Sequence, residues 1–147
     1  MLHVVGAVAG LGPVFGFTIT GPMASRVGGE PALGIMQSML KIARGIILPM
    51  AVLQGVTGVA LINLGGWDVN FGSHEWLLIS IVLYLAMLAV AFFIQLPTLS
   101  NLVGMAKGGS QSSADFGALQ KKAAGAGSLL VLLVVVLTVL MVLKPGS

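Results

Sequence analysis

Four stretches of the chain, residues 2–20, 46–64, 76–96 and 123–143, are apolar almost throughout, and no Asp, Glu, Lys or Arg falls within the central part of any of them. A helix rises about 1.5 Å per residue, so roughly 20 such residues cross the ~30 Å hydrocarbon core of a bilayer. In lipid every backbone N–H and C=O must be paired internally, which makes each stretch a helix. The chain therefore reads as an all-α integral membrane four-helix bundle, one domain over residues 1–147 with no room for a soluble one. Composition agrees: 57% of residues are hydrophobic and 7% charged, where soluble domains carry about a quarter charged.

The connections set the expected orientation. Arg26, Glu30, Lys41 and Arg44 lie between spans 1 and 2, and Lys107, Asp115, Lys121 and Lys122 between spans 3 and 4. The loop between spans 2 and 3 has Asp68 and Glu75 and no Lys or Arg. Basic residues favour cytoplasmic loops, so the first and third loops are expected inside and both termini on the extracytoplasmic side. Lys144 opposes this alone. The net charge of +3 is spread over these loops without forming a run, which argues against a nucleic-acid partner and for a topology signal. Span 1 lacks a basic leader and has Gly12-Pro13 mid-stretch, so it is expected to be retained and not cleaved as a signal peptide.

Span 1 carries two small-residue ridges. At 100° per residue, His3, Gly6, Gly10 and Phe17 share a stripe while Gly12 and Gly16 lie nearly opposite, a pattern for close helix packing that places span 1 at the centre of the bundle. Gly28-Gly29 break the chain, and Pro31 suits the first turn of a helix over residues 31–43, either an interfacial helix or, as the unbroken run from Lys41 to Gly45 favours, an inward extension of span 2. Met50, Gln54 and Gly58 on span 2, and Ser80, Tyr84, Met87, Ala91 and Gln95 on span 3, form stripes expected to face protein. Span 4 is nearly unbroken Leu and Val from residue 129 onward and reads as peripheral and lipid-facing. Trp67 and Trp76 bracket the outer loop as interfacial anchors. No internal repeat of the inverted-transporter kind is visible.

Candidate chemistry is narrow. Proton pumps, ion-coupled carriers and voltage sensors need ionisable groups at depth, and the spans hold none of Asp, Glu, Lys or Arg there. With no cysteine, thiolate chemistry is excluded. His3 and His74 are expected near the same membrane face, where two neutral imidazoles could ligate one haem iron or share a metal ion; the plainer reading leaves each as an interfacial histidine. The methionines, Met36, Met39, Met50, Met87 and Met141 among them, read as packing and not as a copper site. The span 1 glycines are not a phosphate loop, since no strand precedes them.

Leu2-His3 before a Gly/Ala-rich helix, Gly12-Pro13, Trp76-Leu77-Leu78 and the closing Leu140-Met141-Val142-Leu143-Lys144-Pro145 together resemble a group of small four-helix bacterial integral membrane proteins known as a domain of unknown function. Span 1 is also similar to that of CopD-type copper-resistance proteins and of the HemJ-type protoporphyrinogen oxidase. The latter resemblance implies haem b, with His3 in the role of the family's span 1 histidine. The lysine of that family should fall near Ile79 or Ser80, where this chain has none, so the resemblance does not extend to oxidase chemistry; His74 would have to supply a second ligand or leave the iron five-coordinate.

No catalytic constellation emerges. Three readings stay open: a membrane protein binding haem b or a metal ion through His3 and His74; an accessory subunit packing against itself or other membrane proteins through Gly6, Gly10, Gly12 and Gly16; and a small-solute channel lined by Gln54, Thr57, Ser80, Tyr84 and Gln95.

Overall fold

The computed structural model describes residues 2–66 and 75–144. Six α-helices follow one another: α1 (Leu2–Val27), α2 (Gly29–Ile42), α3 (Leu48–Gly65), α4 (Glu75–Ala89), α5 (Leu96–Lys107) and α6 (Ala114–Leu143). A π-helical turn at Ala43–Ile47 joins α2 to α3, and another at Val90–Gln95 joins α4 to α5. The result is four long helices, each long and apolar enough to cross a membrane. Each overruns its apolar stretch at the end rich in Arg and Lys, which we call the cationic end.

Local chemistry explains the punctuation. Between α1 and α2 the chain passes through Gly28 (φ 66°) and Gly29 (φ 57°), a left-handed conformation that side chains with a Cβ resist. Ser113 starts α6 by accepting the Phe116 backbone N–H on its hydroxyl at 3.2 Å, satisfying a donor the helix cannot pair itself. Gln111 Nε2 donates to the Gly29 carbonyl and ties the two loops of this end together.

Both π turns precede a Leu-Pro pair, Leu48-Pro49 and Leu96-Pro97. A proline in a regular helix has no N–H to give and presses its ring on the carbonyl four residues back. Here the helix widens first: Leu48 N–H bonds the Ala43 carbonyl and Leu96 N–H the Ala91 carbonyl, each five residues back. The flanking residues recur too, as Ala43-x-x-Ile46-x-Leu48-Pro49 and Ala91-x-x-Ile94-x-Leu96-Pro97. Antiparallel helices thus carry the same irregularity at the same level of the bundle.

The packing differs from expectation in two respects. First, α1 is not central: its principal neighbours are α2, α3 and α6. Gly6 and Gly10 meet α3, whereas Gly12 and Gly16 have nothing within 4 Å, and Phe15 and Ile19 beside them are exposed. Second, α6 is not peripheral. It contacts α1, α4 and α5 and buries Phe116, Ala126, Leu130, Val134 and Leu137, leaving its other faces to lipid. A Leu/Val-only helix hides this stripe because every face is equally apolar, and shape complementarity alone selects the one that packs. Trp76, expected as an interfacial anchor, is buried within the protein at the start of α4, with Lys144 Nζ 5.8 Å from its ring centroid.

The core is divided. One cluster, with Ala24, Ala32, Met36, Leu102, Val103, Ala106 and Phe116, closes the cationic end. The other, with Val14, Met87, Leu130 and Val134, lies further along the bundle. The π turns sit at the level between them.

Candidate functional site

His3 stands at the opposite end from the cationic loops, in the first turn of α1 and against α3. Its Nδ1 is 2.9 Å from Thr57 Oγ1 and its Nε2 is 3.0 Å from Gln54 Nε2. The Thr57 hydroxyl donates to the backbone carbonyls of Leu53 and Gln54, so its oxygen accepts from His3 Nδ1–H. The Gln54 amide then donates to the lone pair on Nε2. This arrangement defines a neutral ring with the proton on Nδ1. Gly6 and Gly58 make the contact feasible: a Cβ at Gly6 would lie 2.8 Å from Gln54 Oε1 and one at Gly58 3.4 Å from His3 Cε1. Lower on the same faces the Tyr84 hydroxyl donates to the Ala51 carbonyl across α3 and α4, over Gly55.

These contacts bear on the ligand and channel readings. Both ring nitrogens of His3 are hydrogen-bonded, so a bond from either to iron or another metal would require giving up one of those partners. His74 lies outside the described residues, and among the described residues no group of three or more His, Asp or Glu gathers to hold a metal ion. Of the five residues expected to line a channel, Gln54 and Thr57 bond His3, Ser80 donates to the Trp76 carbonyl, Tyr84 donates to the Ala51 carbonyl, and Gln95 has an Oε1 without a partner.

Gln95 belongs to a second site. Between the two core clusters a cavity of about 600 Å³ opens, walled by all four long helices. The π turns contribute Ala43, Ile47, Ala91 and Gln95 to its wall. Gln95 is 9% exposed, yet its Oε1 has no hydrogen-bond partner. The facing wall is α6, where Gly127 comes so near that a Cβ would lie 3.8 Å from Gln95 Nε2. Most of the lining is apolar, while Arg26 and Lys121 line it together with Ser25 and Gln120 towards the cationic end. A second, more open depression between α1 and α2 is apolar and shows no unpartnered polar atom.

Sequence comparison adds the family. A model described as "Predicted integral membrane protein (DUF2269)" matches residues 1–145. The chain belongs to this family. No curated protein and no solved structure matches the chain. The family description and the four apolar helices agree on a multi-pass integral membrane protein of unknown function.

Of the residues in this cavity's wall, the sequence singled out Gln95 as a channel-lining side chain and Arg26 and Lys121 only as topology signals. The signal that points to the cavity is the Ala-x-x-Ile-x-Leu-Pro recurrence, which marks both helices where their walls widen. Distances between helices decide the rest, and no spacing within one helix reports them.

Proposed function

We propose that this protein is a membrane-embedded binding protein for a small, largely apolar molecule, held in the cavity between its two core clusters. The observation that carries the reading is the cavity with Gln95 in its wall. At about 600 Å³ it falls within the roughly 300–1,000 Å³ of small-molecule sites, and it combines an apolar lining with a few placed polar groups. A buried amide oxygen without a partner costs about 1–3 kcal/mol, which a donor on the ligand would offset. The paired π turns support the reading, since such turns recur at functional sites. The excess of Arg and Lys around the cavity end supports placing that end on the cytoplasmic side of a bacterial inner membrane.

The test is to purify the full chain in mild detergent and in polymer-excised native bilayer discs, then identify retained small molecules by native mass spectrometry. Gly127→Leu fills the cavity from α6, where the glycine meets only Gln95 Nε2 at 3.8 Å. The expected result is a near-stoichiometric apolar molecule on the wild type, absent from Gly127→Leu. Equal retention by both, or none by the wild type from native discs, refutes the reading.

A second reading, as a subunit that associates through α1, draws on one observation: Gly12 and Gly16 lie open between exposed Phe15 and Ile19. Cross-linking in native membranes followed by loss of the product in Gly12→Leu tests it.

A further inference from the structure

The cavity wall is electrostatically one-sided. Arg26, at the end of α1, and Lys121, in the second turn of α6, both line it, and no Asp or Glu does. Among the described residues neither cation has a hydrogen-bond or ion-pair partner. The other basic residues of this end stand apart: Arg44 donates to Ser100 Oγ at 2.8 Å, and Lys41, Lys107 and Lys122 are not in the lining. Topology alone requires positive charge at this end of the bundle; it does not require two of the cations to converge on one apolar cavity. Low-dielectric walls strengthen the field of such a pair and favour an anion.

We infer that the ligand is an amphiphile with an anionic head, a phosphate or carboxylate, bound with the head between Arg26 and Lys121 and the apolar body running past the π turns towards Gln95. This rests on the binding reading above and specifies the ligand's chemistry. Arg26 supplies a planar fork for two anion oxygens and Lys121 a point charge. Gln120 and Ser25, which line the same end, offer neutral donors. The body lies against Val14, Leu99 and Leu130.

The test measures binding to the full chain in neutral detergent by native mass spectrometry titration, with dodecyl phosphate, dodecanol and inorganic phosphate as probes. Dodecyl phosphate should bind once and saturably. Arg26→Gln with Lys121→Gln should weaken it by about tenfold or more while leaving dodecanol unchanged, because only the charge-assisted bonds are lost. Both residues are exposed on the surface side, so the double variant should fold as wild type. If dodecanol and dodecyl phosphate bind equally and the double variant changes neither, the anionic head is refuted while the cavity stands. If neither dodecyl probe binds, or Gly127→Leu leaves their binding intact, the cavity reading itself fails. Inorganic phosphate binding as tightly as dodecyl phosphate would make a free anion the ligand and overturn the amphiphile. Uptake of many dodecyl phosphates without saturation would reduce it to annular contact and overturn the site.

Discussion

The contact between α1 and α3 makes a quantitative prediction from two α1 glycines, Gly10 and Gly12, that are close in the chain but opposite in surroundings. A Cβ built on Gly10 lies 2.8 Å from Met50 Cβ, with the Met50 carbonyl carbon at 3.6 Å and Ala51 N at 3.7 Å behind it. Carbon atoms in contact sit about 3.5–4.0 Å apart, so Gly10→Ala is about 1 Å too close. The obstructing atom is rigidly attached to the α3 backbone and cannot rotate away, so the helices must separate. Overpacking of this kind costs about 1–3 kcal/mol, and separation here also stretches the His3 bonds about two turns along α1. Gly12→Ala meets nothing within 4 Å and gains helix propensity of up to about 1 kcal/mol. The two variants should therefore differ by about 1–4 kcal/mol. Reversible unfolding in mixed micelles, followed by the fluorescence of buried Trp76, measures both. Equal stability of Gly10→Ala and Gly12→Ala would refute the close approach of α1 to α3.

Two further predictions follow from the same geometry. Thr57→Val keeps the shape but strips His3 Nδ1–H of its acceptor, and the same unfolding assay should register a loss of about 1–3 kcal/mol, with no such loss for the exposed Val56→Leu. Deleting Phe93, 81% exposed within the second π turn, should let that turn close to regular α-helix while keeping the faces of α4 and α5 in register. Deleting Leu85 from the regular part of α4 rotates one side by about 100° and should abolish folding, read as loss of monodisperse protein on size exclusion; equal tolerance of the two deletions would contradict the π geometry.

The spans were legible because the bilayer imposes a one-dimensional rule: a backbone in hydrocarbon must close its own hydrogen bonds, so length and apolarity suffice. The polar stripes were legible for a related reason. Gln54, Ser80, Tyr84 and Gln95 interrupt helices otherwise made of Leu, Val and Ile, and a polar side chain in such a helix seeks a partner within the protein. Gly6 with Gly10 and Gly12 with Gly16 show where the sequence stops. Both pairs have the same spacing on the same helix, yet one is pressed against α3 and the other faces outward. α6 makes the point from the other side: its buried stripe of Leu130, Val134 and Leu137 is chemically indistinguishable from the exposed Leu132, Val136 and Val139. The sequence by itself determined four spans, the charge asymmetry between the bundle's ends and the polar side chains that face protein. Only the tertiary structure decided which helices are neighbours, that both ring nitrogens of His3 are engaged, and that Gln95, Arg26 and Lys121 share one cavity. In lipid no solvent distinguishes one apolar face from another, so those choices rest on shape, which exists only once the helices are packed.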